Sequence, residues 1–270
     1  MKKVFLLISV LALSFSGIED ITFDLGSYAR GNSGVVNSES WYAGLTNPAL
    51  LGVKGSQPGI SIENSEWILG TLIQHISYKS DWDKCSYALG ISRLIDEDGV
   101  SRTDVSGNPL GIIKYEEYSI YGAIGCELSP GISLGTSLKS NNLNAVSNKQ
   151  NYSMDLGIYY ESNSFWNFGM KYQNLFVSSE KNDKKGYYLI GVNIYNEQLF
   201  CDIEYNNNID KLSVGLGYGN KQFTISAGVD GDSNYSAGLK VYLFGLNIAY
   251  AYKNIEYHGA INRFGLVLDF

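Results

Sequence analysis

From Gly59 to Phe270, apolar and polar residues alternate in run after run, with turn residues between the runs. In 221–230, Phe223, Ile225, Ala227 and Val229 share a face opposite Thr224, Ser226, Gly228 and Asp230. In 234–243, Tyr235, Ala237, Leu239, Val241 and Leu243 oppose Ser236, Gly238 and Lys240; in 245–253, Leu246, Ile248, Tyr250 and Tyr252 oppose Asn247, Ala249, Ala251 and Lys253. The final run sets Phe264, Leu266, Leu268 and Phe270 against Arg263, Gly265 and Asp269. Period two is the signature of a strand. It predicts strands over 59–65, 67–79, 84–95, 114–127, 131–141, 150–161, 164–177, 186–196, 199–206, 210–219, 221–230, 234–243, 245–253 and 259–270. That makes about fourteen, or twelve if the first hairpin, around Asn64 to Glu66, does not form.

An apolar terminal strand left open in water is an aggregation hazard. It is sound if the sheet closes on itself and its apolar face meets lipid, and most of the runs approach the roughly 9–11 residues a tilted strand needs to cross a bilayer. The expected fold is therefore all-β: a transmembrane antiparallel up-and-down β-barrel. The connections agree, because tight turns near Asp81–Asp83, Ser129-Pro130, Ser162-Asn163, Asn196-Glu197, Gly219-Asn220 and Phe244 alternate with longer ones at Asp96–Ile113, Asn142–Lys149 and Ser178–Lys185. With the last strand ending on the periplasmic side, short turns fall inside and longer loops outside. Phe264, Leu266, Leu268 and Phe270 are then placed to be read by the barrel-assembly machinery, a role that resemblance to outer-membrane proteins implies.

Two segments precede the barrel. Residues 1–16 have the plan of a secretory signal, with Lys2 and Lys3, an apolar run from Val4 to Leu13, and small residues before Gly17. That run is too short to cross a membrane as a helix. Residues 17–58 are rich in Gly, Asn and Ser and lack the alternation. Pro48 cannot donate to a ladder, and Asn47-Pro48-Ala49-Leu50-Leu51 suits a short helical turn with Asn47 as cap and Pro48 at its first position. This segment reads as a periplasmic lead-in or lumen plug, with residues 59–270 as the barrel. Arg30, Asn47, Pro48 and Ala49 are its candidate plug or gating residues, Arg30 and Asn47 holding it to inward acids and wall groups.

Composition sharpens this picture. Gly is frequent at 30 and Tyr at 21, while Pro is scarce at 4, as suits long strands with aromatic girdles. A mean hydropathy of −0.10 is compatible with a barrel, which exposes apolar residues only at alternate positions. Gly169, Gly191, Gly215, Gly217, Gly228, Gly238 and Gly265 are placed inward or near the wall. Since glycine admits close approach, the lumen is expected to be narrow or occupied by the lead-in. The net charge of −7 becomes about −9 once Lys2 and Lys3 leave, and without a basic cluster nucleic acid is not an expected partner. Cys85, Cys126 and Cys201 are odd in number and far apart, so they are read as small apolar residues and not as a disulfide framework or metal ligands.

Motifs with catalytic potential lack their context. Gly131-Ile132-Ser133-Leu134-Gly135 matches a nucleophile elbow in letters, but it follows a hairpin turn and lies in a strand with no helix after it. Gly215-Leu216-Gly217-Tyr218-Gly219 lacks the spacing of a dinucleotide site, and Asp96-Glu97-Asp98-Gly99 reads as a solvated loop tip. The histidines are His75 and His258; His258 has Glu256 nearby and could form a dyad at the rim. No recognisable catalytic constellation follows, so neither an enzyme nor a cofactor is expected.

The chain resembles the PorV/PorQ family of outer-membrane barrels, relatives of the long-chain fatty-acid transporter (FadL-type) superfamily. The resemblance rests on Ser27-Tyr28-Ala29-Arg30, Asn47-Pro48-Ala49-Leu50-Leu51, Thr103–Gly111 before Tyr115-Glu116-Glu117-Tyr118, Gly135–Lys139, Asp155-Leu156-Gly157, Gln173-Asn174-Leu175 and the closing Arg263–Phe270, in that order. It implies a bacterial outer-membrane protein with lipid around it. Its expected role is a non-enzymatic component of protein secretion or surface attachment of type IX kind, with secreted proteins or secretion-system components as partners. The alternative it implies is passive uptake of hydrophobic small molecules such as fatty acids.

Overall fold

The computed structural model describes residues 18, 21–37, 41–53, 58–67, 70–103, 109–144, 149–162, 165–178, 186–256 and 258–270, without the side chains of 97–113, 176 and 178. The signal-peptide reading of residues 1–16 lies outside this range. Fourteen strands form a closed antiparallel barrel in which every strand pairs with its neighbours in sequence and the first pairs with the last. They are β1 (Gly59–Glu66), β2 (Leu72–Trp82), β3 (Cys85–Thr103), β4 (Pro109–Ser129), β5 (Ile132–Asn144), β6 (Lys149–Glu161), β7 (Trp166–Ser178), β8 (Tyr187–Asn196), β9 (Leu199–Asn206), β10 (Lys211–Gly219), β11 (Phe223–Val229), β12 (Tyr235–Leu243), β13 (Leu246–Ile255) and β14 (Gly259–Asp269). The first hairpin forms, so the count is fourteen and not twelve. Among the described residues, no helix is long and apolar enough to cross a membrane.

Closure falls on the terminal run. Ile60 faces Leu268 and Ile62 faces Leu266 across the β1–β14 seam, and the Phe270 N–H donates to Pro58 O (3.2 Å). Phe264, Leu266, Leu268 and Phe270 all point outward and are exposed. Neighbouring strands continue the outward belt with Ile76, Leu89, Ile91, Ile120, Leu134, Ile158, Leu216 and Ile225. In water such a surface would be a large apolar patch; around a closed barrel it is the lipid-facing band. At the tight Phe244-Gly245 turn both residues have positive φ (50° and 83°), matching a two-residue hairpin to the twist of its strands.

Two expectations need correction. Most of Asp96–Ile113 is strand and not loop: β3 continues to Thr103 and β4 begins at Pro109, pairing Val100 with Ile113 and Thr103 with Pro109, with a register shift after Asp96. Asp96-Glu97-Asp98-Gly99 therefore lies along a strand and not at a tip. Cys85 and Cys126 are also not independent apolar residues, because they form a disulfide. They are direct cross-strand partners at the base of the β3–β4 hairpin, 4.0 Å apart at Cα. Their separation of 41 positions is distance in the sequence only; the hairpin folds that distance back on itself. Cys201 is free.

Candidate functional site: the occupied lumen

Residues 21–37 and 41–53 lie against the inward faces of the strands. They contain two short helices, α1 (Leu25–Ala29) and α2 (Ala43–Thr46), and a 3₁₀ turn, Pro48–Gly52. The Asp24 carboxylate caps α1, accepting from Gly26 N–H (2.9 Å) and Ser27 Oγ–H (2.5 Å). Asn47 Oδ1 accepts from Ala49 N–H (3.1 Å) and caps the 3₁₀ turn, with Pro48 at its first position. Each cap satisfies an amide that helix geometry leaves without a partner. Ala49 and Leu51 are fully buried.

The wall glycines make room for this segment. A Cβ at Gly125 or Gly135 would overlap the Pro48 backbone, and one at Gly157 would overlap the Asn47 side chain. Across the barrel, a Cβ at Gly215 or Gly228 would strike Arg30, at Gly238 Ala29, at Gly265 Leu25, and at Gly169 or Gly191 Val35. Gly217 differs, since it accommodates the ring of Phe200, which lies beneath the Arg30 guanidinium. Gly135, the last residue of the elbow-like motif, thus serves close approach, while Ser133 is a buried residue of β5.

Polar contacts complete the attachment. Arg30 Nε lies 2.6 Å from Asp202 Oδ2, and Arg30 also donates to Asn37 O. Glu204 Oε2 accepts from both Gly34 N–H and Val35 N–H at 2.8 Å. Asn47 Nδ2 donates to Val35 O (2.7 Å) and to Ile158 O on β6 (3.3 Å). Lys171 Nζ donates to Leu45 O (2.6 Å) and pairs with Asp155, which Lys139 also contacts (2.8 Å). Arg263 pairs with Glu63 (2.5 Å), donates to Thr22 O (2.5 Å) and lies over the Tyr28 ring. Buried charges are tolerable only when paired in this manner. At the end of the barrel opposite Pro58 and Phe270, Asp230 pairs with Lys253 (2.6 Å). Burial pushes its carboxyl up, but Lys253 and the hydrogen bonds from Asn234 outweigh that and hold it below the usual range.

His75 is fully buried, with its ring stacked near Phe23 (4.8 Å) and Tyr42 (5.5 Å) of the lead-in and Tyr121 of β4 (6.1 Å). Its Nδ1 is 2.8 Å from Ser92 Oγ. His258 is exposed, its N–H donating to Ile255 O, and among the described residues nothing joins its side chain to Glu256. No group of His, Cys, Asp and Glu suited to a metal occurs among the described residues.

A cavity of about 440 Å³ lies within the barrel, reaching the turns at Asn208 and Asp232. Ile18, Ile21, Phe23, Val35 and Leu45 of the lead-in, with Leu189, give it an apolar side; Ser92, Ser119, Lys139, Lys171 and Gln173 give it a polar one. A second recess, of about 790 Å³, is lined by outward residues including Ile194, Leu199, Leu216 and Ile225, and so belongs to the lipid side.

No family model matches the chain, and no curated protein does. Among solved structures, the toluene transporter TodX of Pseudomonas putida shares 12% identity at a TM-score of 0.62, over 89% of this chain and 95% of that one. CymD, described as a monoaromatic hydrocarbon channel, shares 11% at 0.64 over 92% and 97%. A FadL homologue of Pseudomonas aeruginosa shares 12% at 0.59 over 93% and 99%. At these identities the likeness establishes a common barrel fold and nothing beyond the fold.

Proposed function

We propose that the chain is a channel of the bacterial outer membrane for small hydrophobic or amphipathic molecules, with residues 21–37 and 41–53 as the element that closes its lumen. The observation that carries this reading is the two-sided cavity bounded on its apolar side by the lead-in, in a barrel whose fold is shared with hydrocarbon channels. A molecule with one apolar and one hydrogen-bonding side suits that lining. Arg30 and Asn47 tether the lead-in, while Pro48 and Ala49 pack into glycine-lined wall. Further passage requires those contacts to open. The secretion reading rests on the order of short motifs in the sequence, whereas the fold neighbours support the alternative of small-molecule uptake. Recognition of Phe264, Leu266, Leu268 and Phe270 by the assembly machinery belongs to the same proposal.

The test is uptake into proteoliposomes, with toluene and oleate as probes. Either probe should enter faster than into protein-free vesicles, and the rate should fall when an engineered disulfide ties the lead-in to the wall. Uptake no faster than in protein-free vesicles for both probes contradicts the reading.

A further inference from the structure

Outward side chains of four neighbouring strands form one row in register. Ile194 of β8 faces Cys201 of β9, Cys201 faces Leu216 of β10, and Leu216 faces Ala227 of β11. Bulky and small residues alternate along this row. One step towards the turns, Leu199, Tyr218 and Ile225 are all exposed and large. The small side chains of Cys201 and Ala227 among these neighbours hollow out the lipid-facing band, and the hollow is the recess of about 790 Å³. That volume lies within the range of small-molecule sites. An apolar hollow facing lipid is filled by hydrocarbon, because water finds no polar partners in it.

The recess ends at the rim on the Pro58 and Phe270 side, which is the periplasmic side in the orientation read from the turns. Asn196 lines it there, and exposed Phe165 and the Tyr218–Phe223 ring pair (centroids 6.0 Å apart) supply the aromatic residues that favour headgroup level. Two turns adjoin at this rim. The Gly219 N–H donates to Gln198 O (2.8 Å), tying the β8–β9 turn to the β10–β11 turn. The first turn carries exposed Glu197 and the second exposed Lys221. One carboxylate and one ammonium on adjoining turns complement a lipid head that bears one ammonium and one phosphate. A singly anionic head would set a like charge against Glu197.

We propose that this recess binds one zwitterionic phospholipid of the periplasmic leaflet. An acyl chain lies over Cys201 and Ala227, the phosphate meets Lys221, and the ammonium meets Glu197. Phosphatidylethanolamine has this chemistry. The site is on the outer wall, apart from the lumen and the lead-in. It rests on the reading of the chain as a membrane barrel and not on conduction. Lipid retention is measured without an uptake assay, so failure of this site and failure of the channel reading are told apart.

The test is native mass spectrometry of the folded mature chain in detergent, supplied with equal amounts of phosphatidylethanolamine, phosphatidylglycerol and oleate. One phosphatidylethanolamine should stay bound, at least about fivefold in excess of either competitor. Ala227→Trp should lower its retention several-fold, whereas Ile76→Trp, an outward change on β2, should not. Glu197→Lys, which gives the rim two cations, should turn the preference towards phosphatidylglycerol. The free thiol of Cys201 gives a reading that needs no variant: ethylmaleimide should alkylate it several-fold more slowly with phosphatidylethanolamine present than with phosphatidylglycerol. No retained lipid, equal retention of the two phospholipids, or oleate in their place overturns the proposal. So does undiminished retention by an Ala227→Trp barrel that shows heat-modifiable mobility on a gel, or a Cys201 thiol equally reactive in both lipids.

Discussion

The terminal strand and the lead-in are held by different physics. In β14, outward Phe264, Leu266 and Leu268 meet lipid, and the backbone is satisfied by neighbours on both sides. Its conformation follows from its own pattern. The lead-in has short helices of 5, 4 and 5 residues, too little regular structure to stand alone, and is held by wall glycines, buried ion pairs and caps. A strand of this barrel carries its own instructions; the lead-in has most of its instructions written on the strands around it.

Arg263 joins the two regions, pairing with Glu63 while donating to Thr22 O. Arg263→Met should therefore have the largest effect, about 3–5 kcal/mol, because it leaves a fully buried carboxylate without its cation. Urea titration of the refolded barrel measures this, and Glu63→Leu combined with Arg263→Met should recover most of the loss. Next come the glycines. Gly157→Val should cost roughly 1–3 kcal/mol by overpacking and loosen the lead-in. Gly122→Ala should do neither, since the nearest atom to its added Cβ is the tip of Leu89 at 3.3 Å. Tryptic cleavage after Arg30 in the folded protein distinguishes the two.

Asn47→Ala removes a cap and the bond to Ile158 O, at about 0.5–2 kcal/mol, and hydrogen exchange should show the change over Pro48–Gly52 while β14 is unaffected. The smallest equilibrium effect is expected from Phe270→Ser, because this residue remains 68% exposed outside the ladder. Its yield in the membrane should nevertheless fall if the C-terminal residues are an assembly signal. Equal yield with unchanged stability would remove that role.

What the sequence reveals follows the same division. Alternation located all fourteen strands, and most boundaries agree within a few residues. Alternation extends β2 back to Trp67 because Trp67-Ile68-Leu69 is apolar, whereas the Trp67 N–H donates to Thr71 O (2.6 Å) and the strand begins at Leu72. The long β3–β4 ladder was hidden by Gly99, Gly107 and the acidic Asp96-Glu97-Asp98, residues that ordinarily mark loops. Hairpin extension in turn decides which cysteines meet, so the Cys85–Cys126 bond was invisible for the same reason. In the lumen, Arg30 and Asn47 stand out by type and setting. Asp202, which pairs with Arg30, and Glu204, which accepts from Gly34 and Val35, stand two apart on one strand face, whereas the Asn47 amide meets carbonyl oxygens and not an acid. The stacking of His75 with Phe23 and Tyr42 depends on where the lead-in crosses β2, and no local pattern encodes that.

The central claim is that the lead-in occupies and closes the lumen. Single-channel conductance in planar bilayers, comparing the full mature chain with one lacking residues 21–53, tests it most directly. Low conductance in the full chain and a large, stable increase in the shortened one is the predicted result. Equal conductance from two correctly assembled barrels would contradict the account.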